Sequence, residues 1–499
     1  MKKFKAALFD LLVIGLILIV AAFLVSYNRY QWRELAILFL TIYLVNCLFI
    51  FYMLISDDEL HEKFIWVFFL VVFPIISHVI FGLFRIRRYR GISRQQYDQQ
   101  LFDLCAVKTV DPQKNGLNHF ETEHIKVIKR PFHWSEIELY THGFDAYQKL
   151  FDDLEQAQKY IYIEMYIIKQ SEIFEKFKEV LIRKAQAGVE IKIILDCFGT
   201  WVVQKKDFEY LRKNKIEIKI FNKTIYPIVK PTDNNRLHRK FFIIDGQIVH
   251  AGGLNITDEY SSYSAYYGYW ADLNFCLKGS IVHDYEMIFL YDWMQLSGQK
   301  LSCSNCLMNN LPTSEPTQNS ERILLFDEGP NNYDNLLENT LVNWIYNAKK
   351  TIRLSTPYFI PTRQIFNALK NALKKGVAIE IYIPGKPDKK IVYYGTNFYL
   401  KQLVTFGAQV FILNNIFLHS KFAIFDDQFV YIGTNNLDMR SLYTNYEVIN
   451  IIQGQKTIAF LNNLCNQYQV YAKLLQPHHE SRIKTNFKKV IYELFAPLM

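Results

Sequence analysis

The run His238-Arg239-Lys240-Phe241-Phe242-Ile243-Ile244-Asp245 recurs later in the chain as His419-Ser420-Lys421-Phe422-Ala423-Ile424-Phe425-Asp426. Both read H-x-K-x-x-x-x-D, and each is followed by a short apolar run and a Gly/Asn turn, Gly252-Gly253-Leu254-Asn255 and Gly433-Thr434-Asn435-Asn436. One copy arises easily by chance; two with matching flanks do not. Along a strand, residues two apart face the same side, so His238 is expected to point with Lys240, and His419 with Lys421. If the two copies meet about an axis, two imidazoles and two ammonium groups converge. That set suits a phosphodiester. The ammoniums hold the non-bridging oxygens and offset charge in the transition state. One imidazole attacks phosphorus and becomes a phosphohistidine; the other protonates the departing oxygen and then deprotonates the incoming hydroxyl. An imidazole titrates near neutrality and can do both in one cycle. The chemistry requires no metal or organic cofactor, and no ligand set with metal-site spacing stands near the motifs.

Other residues of each repeat are candidates for parts around this centre. Asp245 and Asp426 belong to the repeated motif, but five residues of extended chain beyond the lysine put them out of reach of the phosphate; they are expected to support the catalytic set or the fold. A carboxylate that fixes an imidazole tautomer is a recognised need. Asp272 in Trp270-Ala271-Asp272 and Glu447 in Asn445-Tyr446-Glu447 follow the motifs at comparable intervals and are candidates for it. Asn255 and Asn436 either donate amide hydrogens to phosphate oxygens or serve as turn residues.

The elements that must position these residues also run twice. Phe144 to Lys159 has helical periodicity, Tyr160 to Tyr166 alternates as a strand, Phe174 to Ala187 reads as a helix closed by Gly188, and Val189 to Leu195 as a strand. In the second pass Leu336 to Lys350 is helical, Thr351 to Ser355 a strand, Gln364 to Lys375 a helix closed by Gly376, and Val377 to Ile383 a strand. The fold class expected is α/β: two similar α-β-α halves related by pseudo-twofold symmetry, preceded by N-terminal transmembrane helices. The expected domains are a membrane anchor over residues 1–90, a polar connector over 91–130, a first half over 131–296, a linker over 297–322, and a second half with a C-terminal tail over 323–499. That tail, from Arg482 to Met499, mixes cations with apolar residues and reads as a packing helix or a membrane-surface helix.

At 499 residues, 50% of them hydrophobic, the apolar content is concentrated at one end. Ala6 to Val25, Leu35 to Ile55 and Phe64 to Phe84 are each about long enough to cross ~30 Å of hydrocarbon. The first is a poor match to a cleaved signal peptide, because Ser26-Tyr27-Asn28 lacks small cleavage-site residues. Arg85, Arg87, Arg88, Arg90 and Arg94 follow the third run, which places the remainder in the cytoplasm. Two or three spans fit, and the localisation expected is a multi-pass cell-membrane protein. A net charge of +9 on a membrane-bound chain points to anionic phospholipid as partner, not nucleic acid. Seven cysteines without regular spacing do not form a disulfide framework, and Cys303-x-x-Cys306 has no second pair beside it.

The chain resembles the phospholipase D superfamily, defined by two such H-x-K motifs, and within it the bacterial cardiolipin synthases. Asn235-Arg236-Leu237-His238-Arg239-Lys240 with Gly252-Gly253-Leu254-Asn255 and Asp258-Glu259-Tyr260 is similar to that group's first motif. Leu418-His419-Ser420-Lys421, Gly433 to Ser441 and Asn445-Tyr446-Glu447 resemble its second. The resemblance implies that two phosphatidylglycerols give cardiolipin and glycerol, with one phosphatidyl group held on histidine and no nucleotide donor. It assigns His238 as nucleophile and His419 as acid/base, an order that pseudo-symmetry leaves open from the residues alone. The sequence departs from the family at Asn274, where a histidine is frequent, at Thr434, where serine is usual, and in three apolar runs against two. Hydrolysis to phosphatidic acid, a phosphatidylserine synthase-like transfer, nuclease action and a non-catalytic membrane scaffold are the competing readings.

Overall fold

The computed structural model describes residues 33–55, 60–74, 77–78, 93–105, 119–223, 231–261, 267–301, 317–331 and 335–477. The chain forms two compact units, one of residues 1–86 with 481–498 and the other of residues 87–480.

In the first unit, helix α1 (Arg33–Ile55) and helix α2 (Leu60–Val72) are described. Met53 and Trp66 pack together with Phe49, and His78 Nε2 meets Asn46 Oδ1 at 2.6 Å. Among the described residues only α1 is long and apolar enough to cross a membrane, and Leu38, Leu48, Phe51 and Ile55 stand exposed along it. The third apolar run does not form one unbroken span there. Helix α2 has 13 residues and stops before Pro74, whose ring disfavours helix in the residue preceding it. The run from Ala6 to Val25 and the C-terminal tail lie outside the described residues, as do Cys303 and Cys306.

The second unit begins with α3 (Arg94–Cys105) and α4 (His119–Ile128), so the polar stretch expected as a connector is partly helical. Tyr97, Leu101 and Phe102 of α3 are buried in the main core, which explains why this polar segment is structured. Strands of the first half are β1 (His133–Tyr140), β2 (Tyr160–Met165), β3 (Glu190–Asp196), β4 (Glu217–Phe221), β5 (Arg236–Leu237), β6 (Phe241–Ile244), β7 (Ile248–Gly252), β8 (Tyr269–Ala271) and β9 (Asn274–Gly279). Those of the second are β10 (Ser320–Glu328), β11 (Thr351–Ser355), β12 (Phe359–Ile360), β13 (Ala378–Pro384), β14 (Gln409–Leu413), β15 (Ile416–Leu418), β16 (Phe422–Phe425), β17 (Phe429–Gly433), β18 (Leu437–Asp438), β19 (Asn445–Gln453) and β20 (Ala472–Leu474).

One sheet runs through both halves in the order β20-β14-β13-β11-β16-β17-β19-β10-β1-β9-β7-β6-β2-β3-β4. Apart from β20, the order reads the same outward from the central antiparallel pair β1–β10, the topological form of a twofold axis. Both faces are covered, and the side-chain alternation shows it. Phe241 and Ile243, with Phe422 and Ile424, enter a core shared with helix Ile281–Ser297, while Phe242 and Ile244 face a first-half core and Ala423 and Phe425 a second-half core. The helix-stop glycines act alike in the two halves. Gly188 at φ 94° and Gly376 at φ 89° take the left-handed conformation, and the next residue's N–H closes each helix, Val189 on Lys184 O and Val377 on Ala372 O, both at 3.1 Å.

Candidate active site

His238 and His419 reach the centre by exchange between halves. Strand β5, immediately before His238, pairs in parallel with β19 of the second half, and His238 N donates to Tyr446 O at 3.0 Å. Strand β15, immediately before His419, pairs in parallel with β8 of the first half, and His419 N donates to Ala271 O at 2.7 Å. The H-x-K residues were expected inside a strand. They instead occupy the extended link between each of these short strands and the following sheet strand. The link is what lets one segment belong to both halves.

The supporting carboxylates cross over in the same way. Nδ1 of His238, in the first half, lies 2.9 Å from both oxygens of Glu447, in the second. Nδ1 of His419 donates to Oδ2 of Asp272, in the first half, at 2.6 Å. With Nδ1–H committed to a carboxylate, each neutral ring carries its lone pair on Nε2, the nitrogen left for chemistry. Glu447 is further held by Thr434 Oγ1 at 2.5 Å and Asn445 Nδ2 at 3.1 Å, and Asp272 Oδ1 accepts from Leu273 N at 2.8 Å. Tyr166 packs edge-on to His238 at 4.8 Å between ring centroids, whereas Tyr260, Trp270 and Phe417 surround His419.

The electrostatics bring the four groups into one field. Burial, with the charges of Lys240 and Lys421 added, pulls His238 down to about 4 against the opposing pull of Glu447. Burial, Lys421 and Lys240 pull His419 down to about 4, against Asp272. Burial likewise pulls Lys240 down to about 7 and Lys421 down to about 8. Each lysine acts on the other half's histidine, so the two pairs share one centre. Glu447 and Asp272 titrate low although burial opposes it, because a histidine and a lysine outweigh the desolvation. Burial is the largest cause for all four cationic groups, so the centre disfavours their charged forms. A phosphodiester anion placed among these groups would favour both ammoniums and an imidazolium.

Asp245 and Asp426, expected to support the catalytic set or the fold, do the second. Each sits at φ 52°, and its carboxylate accepts the N–H groups that open the neighbouring strand. Asp245 takes Gln158, Lys159 and Tyr160 at 2.8, 2.7 and 2.9 Å; Asp426 takes Lys349, Lys350 and Thr351 at 2.8, 2.7 and 2.9 Å. The motif aspartate is a turn lock. Of the two roles open to Asn255, the turn is favoured: its Oδ1 accepts from Ile167 N at 3.0 Å and its Nδ2 donates to Tyr260, so its amide serves the fold. Asn436 is buried, and its Oδ1 accepts no hydrogen bond among the described residues.

Other supports went unread in the sequence. Asp196, closing β3, accepts from Leu237 N at 2.9 Å and Arg236 at 3.2 Å, holding the approach to His238. Its signal was a carboxylate directly after the apolar run Ile193-Ile194-Leu195 of β3. Arg239, between His238 and Lys240, is bound by Asp292 at 2.5 Å and Asp327 at 3.0 Å, and Arg130 joins Asp327 at 2.8 Å. Away from the centre, Asp153, His250 and Cys276 place ligand atoms within 4.8 Å of one another. There Asp153 is already shared between His250 Nε2 at 2.7 Å and the Lys149 ammonium at 2.6 Å, a cation that competes with any metal.

Comparison with known proteins agrees with this geometry. The family model for the cardiolipin synthase PLD-like domain matches residues 150–293 and again 341–468. Cardiolipin synthase of Alkalihalophilus pseudofirmus is 32% identical over 394 residues, 77% of this chain and 78% of that protein. One from a Geobacillus strain is 31% identical over 449 residues, covering 87% and 88%. The major cardiolipin synthase of Bacillus subtilis is 34% identical over 314 residues, covering 63% and 64%. A crystal structure of phosphatidylserine synthase from Haemophilus influenzae shares the fold, with a TM-score of 0.59 at 15% identity over 77% of this chain and 100% of that one. Two matched copies of one domain, each bringing a histidine to a shared centre, place the chain in the cardiolipin synthase family of phospholipase D-like enzymes.

Proposed function

We propose that this cardiolipin synthase works by two in-line transfers at phosphorus, with His238 as nucleophile and His419 as the proton carrier. The observation that carries this reading is the crossed bracing: each Nδ1 is tied to a carboxylate from the opposite half, leaving two Nε2 atoms for one phosphate. Nε2 of His238 attacks the phosphorus of one phosphatidylglycerol. The bond to its headgroup glycerol breaks, and His419 gives that oxygen its proton. The glycerol hydroxyl of a second phosphatidylglycerol then attacks the phosphorus, His419 takes the hydroxyl proton, and the P–N bond breaks to release cardiolipin. His419 must be protonated at the first step, yet burial and the neighbouring ammoniums of Lys421 and Lys240 hold it neutral at pH 7. The substrate's own negative charge raises it, so the acid is armed when a phosphodiester is bound. Lys240 and Lys421 hold the non-bridging oxygens, and Asn436 orients them. Helix α1 anchors the chain in the membrane where both substrates lie, with the catalytic unit on the cytoplasmic face.

The test is product identification. Purified protein in vesicles containing phosphatidylglycerol should yield cardiolipin and glycerol in equal amounts by lipid chromatography. Phosphatidic acid as the main product would assign water as acceptor and overturn the transfer.

A further inference from the structure

Two segments at equivalent places in the halves, the loop after β3 and the loop after β13 with the first turn of helix Lys390–Thr405, expose apolar side chains. After β3, Phe198, Trp201 and Val202 are 57%, 70% and 64% exposed. After β13, Ile391 and Tyr394 are 52% and 57% exposed. Scattered exposed hydrophobics need no explanation, but clusters repeated at equivalent places do. The equivalence is structural: Cys197 N donates to Phe221 O and Gly385 N to Leu413 O, so each loop leaves its strand by the same bond to the next one.

Both loops are tied to the centre. Asp196 holds Phe198 N at 2.8 Å with one oxygen and Leu237 N, next to His238, at 2.9 Å with the other. Asp388, in the second loop, binds the Tyr358 hydroxyl, and its charge reaches Lys421. Each half thus has one such segment linked through a carboxylate to one of its catalytic candidates. Each also carries cations: Lys205 and Lys206 follow the first loop, and Lys389 and Lys390 lead into helix Lys390–Thr405 in the second. Lysines at a helix N-terminus oppose the helix dipole, so their place there is not explained by the stability of that helix.

We infer that these loops are a two-point membrane dock, with Phe198, Trp201 and Tyr394 entering the interface and the lysines meeting anionic headgroups, so that the paired histidines face the lipid surface. Trp and Tyr settle at that depth, and each lysine near an anionic surface adds to binding. The inference rests on the phosphatidylglycerol reading and adds to it a surface that presents the substrate.

The experiment uses the full chain in phosphatidylcholine proteoliposomes with two substrates, long-chain phosphatidylglycerol in the bilayer and monomeric dihexanoyl-phosphatidylglycerol from the water. The Phe198→Ser/Trp201→Ser variant should lose about tenfold in activity on the bilayer lipid at low mole fraction, and stay within about twofold on the short-chain lipid. Lys389→Gln/Lys390→Gln should do the same, and added salt should erase its difference from wild type. Equal loss on both substrates would show that the loops merely support the centre, and no loss on either would also overturn the dock. Brominated lipids should quench wild-type tryptophan emission more than that of Trp201→Phe; equal quenching would place Trp201 in water. This last readout decides the dock even if neither substrate yields cardiolipin, the outcome that would sink the functional reading instead. A loss of dimer in detergent on changing Phe198 and Trp201 would assign the patch to a second copy of the chain and overturn the inference.

Discussion

The two halves build the same centre with unequal parts. His238 is gripped by both oxygens of Glu447, and that carboxylate is fastened by Thr434 and Asn445. His419 is held by one oxygen of Asp272, whose other oxygen takes only the adjacent backbone N–H of Leu273 among the hydrogen bonds described. Where Thr434 stands in the second half, the first has Gly253, and a Cβ there would lie 2.1 Å from Asp272 Oδ1. Between histidine and lysine, the first half has Arg239 in a buried ion cluster and the second has Ser420 against Ser355 at 2.7 Å. The difference fits the division of labour proposed for the two rings. A ring fixed through two oxygens presents Nε2 at one angle, as a nucleophile must. A ring held through one oxygen among aromatic faces can pivot between a departing and an arriving hydroxyl.

The largest break in that comparison comes from removing either imidazole. His238→Ala and His419→Ala should each cost on the order of 10⁴-fold in turnover. They should differ in what accumulates. Mass spectrometry of quenched His419→Ala should find the phosphatidyl adduct on residue 238, and His238→Ala should carry none. An adduct on His419 instead would reverse the division of labour while leaving two-step transfer in place.

Neutralising the braces should come next, at about 10²-fold. Glu447→Gln should slow formation of the adduct, because it loosens the nucleophile. Asp272→Asn should slow discharge of the adduct as well as its formation, because His419 carries the proton in both steps. Rapid-quench measurements separate the two; the same pattern in both variants would mean that the crossing has no directional meaning. Gly253→Ala should resemble Asp272→Asn, since its methyl group pushes the same carboxylate.

Much of this was legible in the sequence, for a physical reason. Duplication exposes the chemistry twice, and strand and helix periods show the layers, so the helix closures at Gly188 and Gly376 could be read directly and Asp272 and Glu447 could be named as candidate carboxylates for the imidazoles. What stayed hidden depends on partners far along the chain. Nothing local reveals that Glu447 serves His238 and not its own half's histidine, since that follows from β5 joining β19. Asp245 and Asp426 carry the motif's signature, and only the structure shows their oxygens spent on the N–H groups before β2 and β11. Arg239 occupies the unassigned position of H-x-K, and no role could be read for it because its partners, Asp292 and Asp327, come from two other elements.

The lysines differ less, and their comparison is read by pH. Both are depressed, Lys240 to about 7 and Lys421 to about 8, below an unfolded value near ~10.4. Between those limits the folded chain binds fewer protons than the unfolded one, so these groups make stability rise with pH across that window and fall as pH drops through it. A phosphate mimic such as vanadate should relieve the penalty. Calorimetry in buffers of different ionisation enthalpy should show proton uptake on vanadate binding at pH 8, with affinity falling about tenfold from pH 7 to pH 9. Lys240→Met should remove more of the uptake at pH 8 than Lys421→Met, because Lys240 is the more depressed. Binding without uptake would mean that both ammoniums were already charged.

Thr434 offers the finest distinction between the halves. Its hydroxyl donates to Glu447 Oε2 at 2.5 Å and accepts from Val448 N at 3.1 Å, so it fixes the carboxylate to the β19 backbone. Removing one such bond while three others still hold Glu447 should cost little, about three- to tenfold in kcat, with KM for phosphatidylglycerol unchanged. Thr434→Ser keeps the hydroxyl and should restore the rate; Thr434→Val keeps the shape and should not. The loss should fall on adduct formation, the step assigned to His238. If Thr434→Val instead slows discharge of the adduct, the stiffness of the Glu447 brace is not what distinguishes the nucleophile's half.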